Sequence, residues 1–208
     1  MMKVGFIGAG NVATTIGRHL LNAGHSILLS NTRGPQSLSK LVEELGEGAE
    51  AGAKEDALNC DVVILATYWI NVQQALEGLT WHGQVLVDAT NAHEKKPADL
   101  SPEGIARTVA ALEGQNSSEI VAGLAPGARV VKAFSNIPME WIQDFSGQKP
   151  RTVIFVASDH PDAKDVVVSL INDIGFAPVD TGDLAAGKIH QVAAPLSGLD
   201  LHLIRRMR

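Results

Sequence analysis

The chain has 208 residues, 45% of them apolar and 19% charged, which is enough for one large domain with at most a small appendage. A formal net charge of −6 argues against nucleic acid as a general partner, and a lone cysteine, Cys60, excludes an internal disulfide framework. No apolar stretch approaches the length of a transmembrane helix, and the N-terminus lacks the charged start and long apolar region of a signal peptide. The expectation is a soluble cytoplasmic protein with no membrane insertion.

The first strand and the glycine turn after it organise the rest. Val4 to Ile7 form an apolar run that ends in Gly8-Ala9-Gly10-Asn11-Val12-Ala13, a G-x-G-x-x-A pattern leading into a helix over residues 11–24. Strand, tight turn and helix make the opening of a βαβ unit. Gly8 serves the sharp turn, Gly10 leaves the backbone open to a pyrophosphate, and Ala13 lets the helix pack close to the strand. The first amides of the helix, near Asn11 and Val12, have no intrahelical acceptors and are suited to an anion.

Residues 26–30 read as the second strand. A NAD-specific fold places an acidic residue near its end to bind the ribose 2′-hydroxyl. Here the stretch is Ser30-Asn31-Thr32-Arg33-Gly34-Pro35, with no carboxylate. Arg33 is suited to fork onto a 2′-phosphate, and Ser30, Asn31 and Thr32 offer further hydrogen bonds. NADP(H) is therefore expected over NAD(H); the competing reading leaves Arg33 as a solvated loop residue.

A helix comes next over 37–45, then a short strand over 49–51 and a helical turn over 54–58. The continuous apolar run from Asp61 to Ala66 reads as a strand buried on both faces of a parallel sheet. It ends in Thr67-Tyr68-Trp69, at the edge where ligands of open α/β sheets bind; these three either wall the nucleotide or pack. A helix over 71–79 and a strand over 84–88 lead to Thr90-Asn91, and Asn91 suits a carboxamide or a ribose. Residues 92–115 are a polar excursion with Lys95-Lys96-Pro97 and a short helix over 103–112, read as a lid or as a loose insertion. Ser117 is expected to cap a helix to 124.

Residues 129–134 form the next strand, with Lys132 inside it and Ser135-Asn136-Ile137-Pro138 after it. Lys132 either pairs with a carboxylate or carbonyl or points to solvent. A strand over 152–157 and a helix to 174, begun by Asp159-His160-Pro161 with an aspartate cap, precede a last short strand over 177–180. A helix is expected from about residue 188, where His190 either faces a substrate or packs, and Arg205 to Arg208 form a solvated end. The fold class is thus α/β, a Rossmann-type doubly wound, mostly parallel sheet with a small C-terminal helical segment. The division is residues 1–182 for NADP binding and residues 183–208 completing a second-substrate cleft. No metal site and no acid–base pair stand out.

G-F-I-G-A-G-N-V-A at the start, S-N-T-R-G-P after the second strand, V-V-K-A-F-S-N-I-P and the D-T-G-D-L-A-A-G-K-I-H-Q tail resemble the NADP-dependent oxidoreductases that act on coenzyme F-420, a deazaflavin. The domain is also similar to the reductase portion of membrane ferric reductases, where NADPH passes hydride to a flavin. The resemblance implies an NADP(H) pyrophosphate over Gly8, Ala9, Gly10, Asn11 and Val12 and a 2′-phosphate at Thr32 and Arg33. It places the nicotinamide near Asn91 and the Ala133–Asn136 segment. A second, small-molecule redox partner, deazaflavin or flavin, would lie against Pro138, His190 and Leu196, within a homodimer. Hydride passing between two stacked rings needs alignment more than a strong acid. Two other readings are a reductase of a small carbonyl or imine, with His190 or Lys132 as proton donor, and a non-catalytic NADP(H)-binding redox sensor.

Overall fold

A computed structural model describes residues 1–93, 99, 101–142, 150–191 and 194–203. Residues 95–97 and 205–208, which hold the basic clusters Lys95-Lys96 and Arg205 to Arg208, lie outside them.

The five residues of β1 (Lys3–Ile7) form the axis of the sheet. On one side β1 pairs in parallel with β2 (Ser26–Ser30), and β2 with β3 (Ala49–Ala51). On the other it pairs with β4 (Val62–Leu65), followed by β5 (Val85–Asp88) and β6 (Arg129–Lys132), all parallel. Strand order therefore reverses at β1, which opens a crevice between β1 and β4 at their C-terminal ends.

The alternation of β4 shows why these residues make a doubly covered sheet. Val62 and Ile64 join the apolar cluster on one face with Phe6, Ile16, Leu20 and Val167, while Val63 and Leu65 join the opposite cluster with Ile7, Val72, Leu86 and Val121. A strand apolar at every position has both faces buried, because successive side chains point to opposite sides. The described α-helices are α1 (Asn11–Asn22), α2 (Ser39–Leu45), α3 (Val72–Leu76), α4 (Pro102–Ala111), α5 (Ser117–Leu124), α6 (Met139–Ile142) and α7 (Pro161–Asp173), and all but α4 contribute to these two clusters. His19 Nε2 lies 2.7 Å from the Ile142 carbonyl and ties α1 to α6.

β7 (Arg151–Ala157) reverses direction. Its pairing with β6 is antiparallel, with Lys132 opposite Ala157, and β8 (Ala177–Gly182) runs parallel to it. The early part of β7 therefore extends past the end of β6 toward the ligand edge, where β9 (His202–Leu203) pairs with it antiparallel.

Several local expectations need correction. The helix expected from residue 188 is a 3-10 helix, Ala185–His190, and the tail beyond it adds β9 instead. Ser117 does not cap α5; Asn116 does, in a capping box with Glu119, so its side chain satisfies the Ser118 and Glu119 amides. Asp159 does not cap α7, whose N-cap is His160 without a side-chain bond; Asp159 instead accepts the Leu184 N–H at 2.9 Å and pins the tail. Cys60 is buried, and burial pushes its thiol pKa up.

Gly8 sits at φ +118°, and a Cβ there would collide with the Ala66 carbonyl. Gly8→Ala should therefore lower unfolding free energy by about 2 kcal/mol or more, from strain and overlap together. At Gly10 an added Cβ meets nothing within 4 Å, so Gly10→Ala should stay within about 1 kcal/mol of wild type. Urea unfolding of both variants checks the contrast.

Candidate functional site

Two neighbouring cavities open at the crevice between β1 and β4. The first, about 220 Å³, lies over the start of α1 and the ends of β4 and β5, against Gly10, Asn11, Val12, Ala66, Thr67, Tyr68, Trp69, Ala89, Asn91 and His93. The second, about 390 Å³, lies at the ends of β1 and β2, against Gly8, Ser30, Asn31, Thr32, Gly34, Lys54, Glu55, Thr67 and Gln74 among others. Thr67 lines both, so together they trace one track across the point where strand order reverses.

α1 begins this track without help from a side chain. Its N-cap, Gly10, makes no side-chain cap bond, and the first intrahelical bond runs from the Thr14 N–H to the Gly10 carbonyl at 3.0 Å. The Asn11, Val12 and Ala13 amides that precede it thus have no intrahelical acceptor, and the helix dipole adds positive potential there. Packing demands glycine at 8 but not at 10, where the missing side chain leaves open cavity. Together, bare amides and an open backbone fit a diphosphate. Ala9, between them, packs against the core.

At the second cavity the Ser30 hydroxyl is spent inside the sheet on the Phe6 carbonyl, 2.8 Å away. Asn31 Oδ1 accepts the Arg33 N–H at 2.9 Å and fixes the turn. Thr32 lines the cavity and is exposed; Arg33, next in the turn, is exposed, does not line the cavity and makes no ion pair among the described residues. Lys54, unforeseen from the sequence, lines this cavity and donates to the Gln74 and Glu77 carbonyls at 3.3 and 2.5 Å; its neighbour Glu55 lines it too. The only hint was that the turn after β3 must surface at this edge. His93 is a second omission, two residues from Asn91, and burial pulls its pKa down.

Beneath Asn91 lies a buried polar cluster. Lys132 is wholly buried, 3.7 Å from Asp88 Oδ2, and donates to Ser117 Oγ at 2.9 Å. Ser118 Oγ donates to Asp88 Oδ2 at 2.5 Å, and the Thr90 N–H and hydroxyl donate to Asp88 Oδ1 at 2.9 and 2.6 Å. Asn91 Nδ2 donates to the Ser135 carbonyl at 2.8 Å. Burial pulls the Lys132 pKa down and the Asp88 carboxylate partly offsets it. Of the two readings of Lys132, the carboxylate pair is the one observed.

Neither the residues expected beside the nicotinamide, Ala133 and Asn136, nor those expected on the second-substrate side, Pro138, His190 and Leu196, line the two cavities. Ala133 and Asn136 are buried, and the Asn136 amide bonds the Val153 carbonyl and the Phe155 N–H, each at 3.4 Å. His190 is fully buried, against Thr181 at 3.3 Å and the Phe155 ring, so it faces no open cleft. Leu196 packs on the Val153 and Phe155 cluster, and Pro138 is half-buried; neither lines the two cavities. The tail folds back onto β7, which is why His190 and Leu196 pack against that strand.

Fold and site define a Rossmann-type dinucleotide-binding protein of the NADP oxidoreductase class. Residues 3–92 match the family described as NADP oxidoreductase, coenzyme F420-dependent. It is 35% identical to a hypothetical protein of Sinorhizobium meliloti of known structure, over 98% of this chain and 97% of that one, with a TM-score of 0.86. It is 27% identical to the metalloreductase STEAP3 of Rattus norvegicus over 89% of this chain, and it spans 35% of the length of that protein. A putative F420-dependent NADP-reductase from an Arthrobacter species shares the fold, at 22% identity, with a TM-score of 0.67 and coverage of 88% of this chain and 86% of that one. Among the described residues, no helix is long and apolar enough to cross a membrane.

Burial, reinforced by the nearby Lys132 ammonium, holds the His190 pKa down at about 3. Between that value and the ordinary 6.5 the unfolded chain binds a proton that the native state refuses, so stability rises with pH across this window and falls on acidification. From pH 7 to pH 5, His190 should cost about 2 kcal/mol of unfolding free energy. Urea unfolding at both pH values should show that His190→Gln removes this part of the loss.

Proposed function

We propose that this chain is an NADP(H)-dependent oxidoreductase that passes hydride between NADPH and a flat heteroaromatic acceptor, a deazaflavin of the coenzyme F-420 type or a flavin. The observation that carries the reading is the open Gly10 backbone at the bare start of α1, set in the crevice where strand order reverses. The Asn11 and Val12 amides bind the pyrophosphate. Thr32 meets the 2′-phosphate in the second cavity and Arg33 reaches it from the adjoining turn, where β2 itself ends without a carboxylate. Thr67, Tyr68 and Trp69 wall the track, and Asn91, oriented by its bond to Ser135, addresses the carboxamide.

The cofactor, when bound, supplies the hydride. The chain's part is to align the two rings and keep water from between them. With Lys132 and His190 both buried, the small-carbonyl or imine reading loses the two proton donors it relied on. The match of residues 3–92 to the coenzyme F420-dependent family supports a hydride carrier as the acceptor class.

Fluorescence titration should show NADPH binding more tightly than NADH, with Arg33→Ala narrowing the gap by about ten-fold or more, as loss of a charge-assisted contact worth roughly 1.5–3 kcal/mol requires. Equal preference in wild type and variant would overturn the specificity reading. NADPH oxidation should depend on added deazaflavin or flavin; turnover of a small imine without either would favour the alternative.

A further inference from the structure

Asn91 reaches the cofactor cavity at the end of a chain of contacts that closes on itself. Asp88, the last residue of β5, lies opposite Lys132, the last residue of β6. Its Oδ1 holds both donors of Thr90, so the turn that delivers Asn91 is fixed from below. Its Oδ2 accepts from Ser118 and faces the Lys132 ammonium. From Lys132 the chain runs through Ala133 and Phe134 to Ser135, whose carbonyl takes the Asn91 amide.

Phe134 is the informative link. It is buried, and its φ is +61°, a conformation that costs energy for a bulky side chain and persists only where the surroundings over-determine it. The two sides that hold it are the Lys132 pair and the Ser135 bond to Asn91. Asp88 and Lys132 are both 0% exposed, so neither can relax into water if its partner is lost. A buried ion pair is a poor source of net stability against an apolar replacement; this one sits directly beneath a residue that lines the cavity.

We propose that Asp88 and Lys132 are positioning residues that set the Asn91 amide for the nicotinamide end of the dinucleotide. They touch no ligand themselves and act through the Thr90 turn and the Phe134–Ser135 backbone. This rests on the reading of the crevice as an NADP(H) site, and it divides that site in two. The adenosine end, at Thr32 and Arg33, belongs to a part of the sheet the pair does not reach, while the nicotinamide end depends on it.

The test compares NADPH with adenosine 2′,5′-bisphosphate, which fills only the adenosine end. The variant is Asp88→Asn combined with Lys132→Met, so that no lone charge is left buried. It should weaken NADPH by about ten-fold, the worth of one hydrogen bond, and leave the bisphosphate within about two-fold. Asn91→Ala should do the same, and adding it to the double variant should weaken NADPH by less than about two-fold more, because the residues act on one contact. If the double variant does not fold, Thr90→Val, which removes one donor to Asp88, carries the same comparison. Equal losses for both ligands, no loss, or fully additive losses would overturn the proposal while leaving the NADP(H) site intact. A wild-type protein that binds neither ligand would overturn the functional reading, and this inference with it.

Discussion

The closeness of Gly8 to the Ala66 carbonyl is the constraint on which the molecule depends. β1 and β4 pair along their length and stay in contact as the chain turns into α1, so no side chain fits between them. The turn must therefore be glycine with a positive φ, and α1 must begin directly above the gap. From that geometry comes the exposure of the first helical amides at the point where strand order reverses. The crevice is thus a consequence of how two strands pack, and its fit to a diphosphate comes from the backbone more than from side chains.

The two ends of the crevice are built differently. At β2 the edge is an exposed, asparagine-fixed turn with a threonine and an arginine, backed by a lysine already engaged with the carbonyls at the end of α3. At β5, the wall is held from inside by buried polar groups bonded to each other. The rim can change its side chains without disturbing the core. The wall cannot, because each of its groups is another's partner and none has access to water.

How much of the molecule was legible in the sequence depends on the range of the physics involved. β2 and β3 fall on the expected residues, and α5 ends where expected, because the patterns that mark them act within a few positions. The glycine turn and the Thr67–Trp69 edge are equally local. The burial of Lys132 was not legible, since it depends on Asp88 and on two serines of α5, which only the sheet brings together. Nor does an alternating or apolar run say which way its strand points, so the reversal of β7 was invisible. His190 read either as facing a substrate or as packed, because nothing local marks the return of the tail over it, and it is packed. Asn116 outcompeted Ser117 as the cap, which left the Ser117 hydroxyl to receive the ammonium.

That reversal has a further consequence. Parallel strands of similar length finish level, and a seventh laid the same way would have left the far side of the crevice as an open shelf. By running backward, β7 stands above its neighbour as a parapet, braced by Asn136 and fringed by β9. A parapet made of paired backbone is harder to lower than one made of loops. In this chain the raised edge beyond β6 is therefore inherited with the topology, whatever side chains lie along its crest.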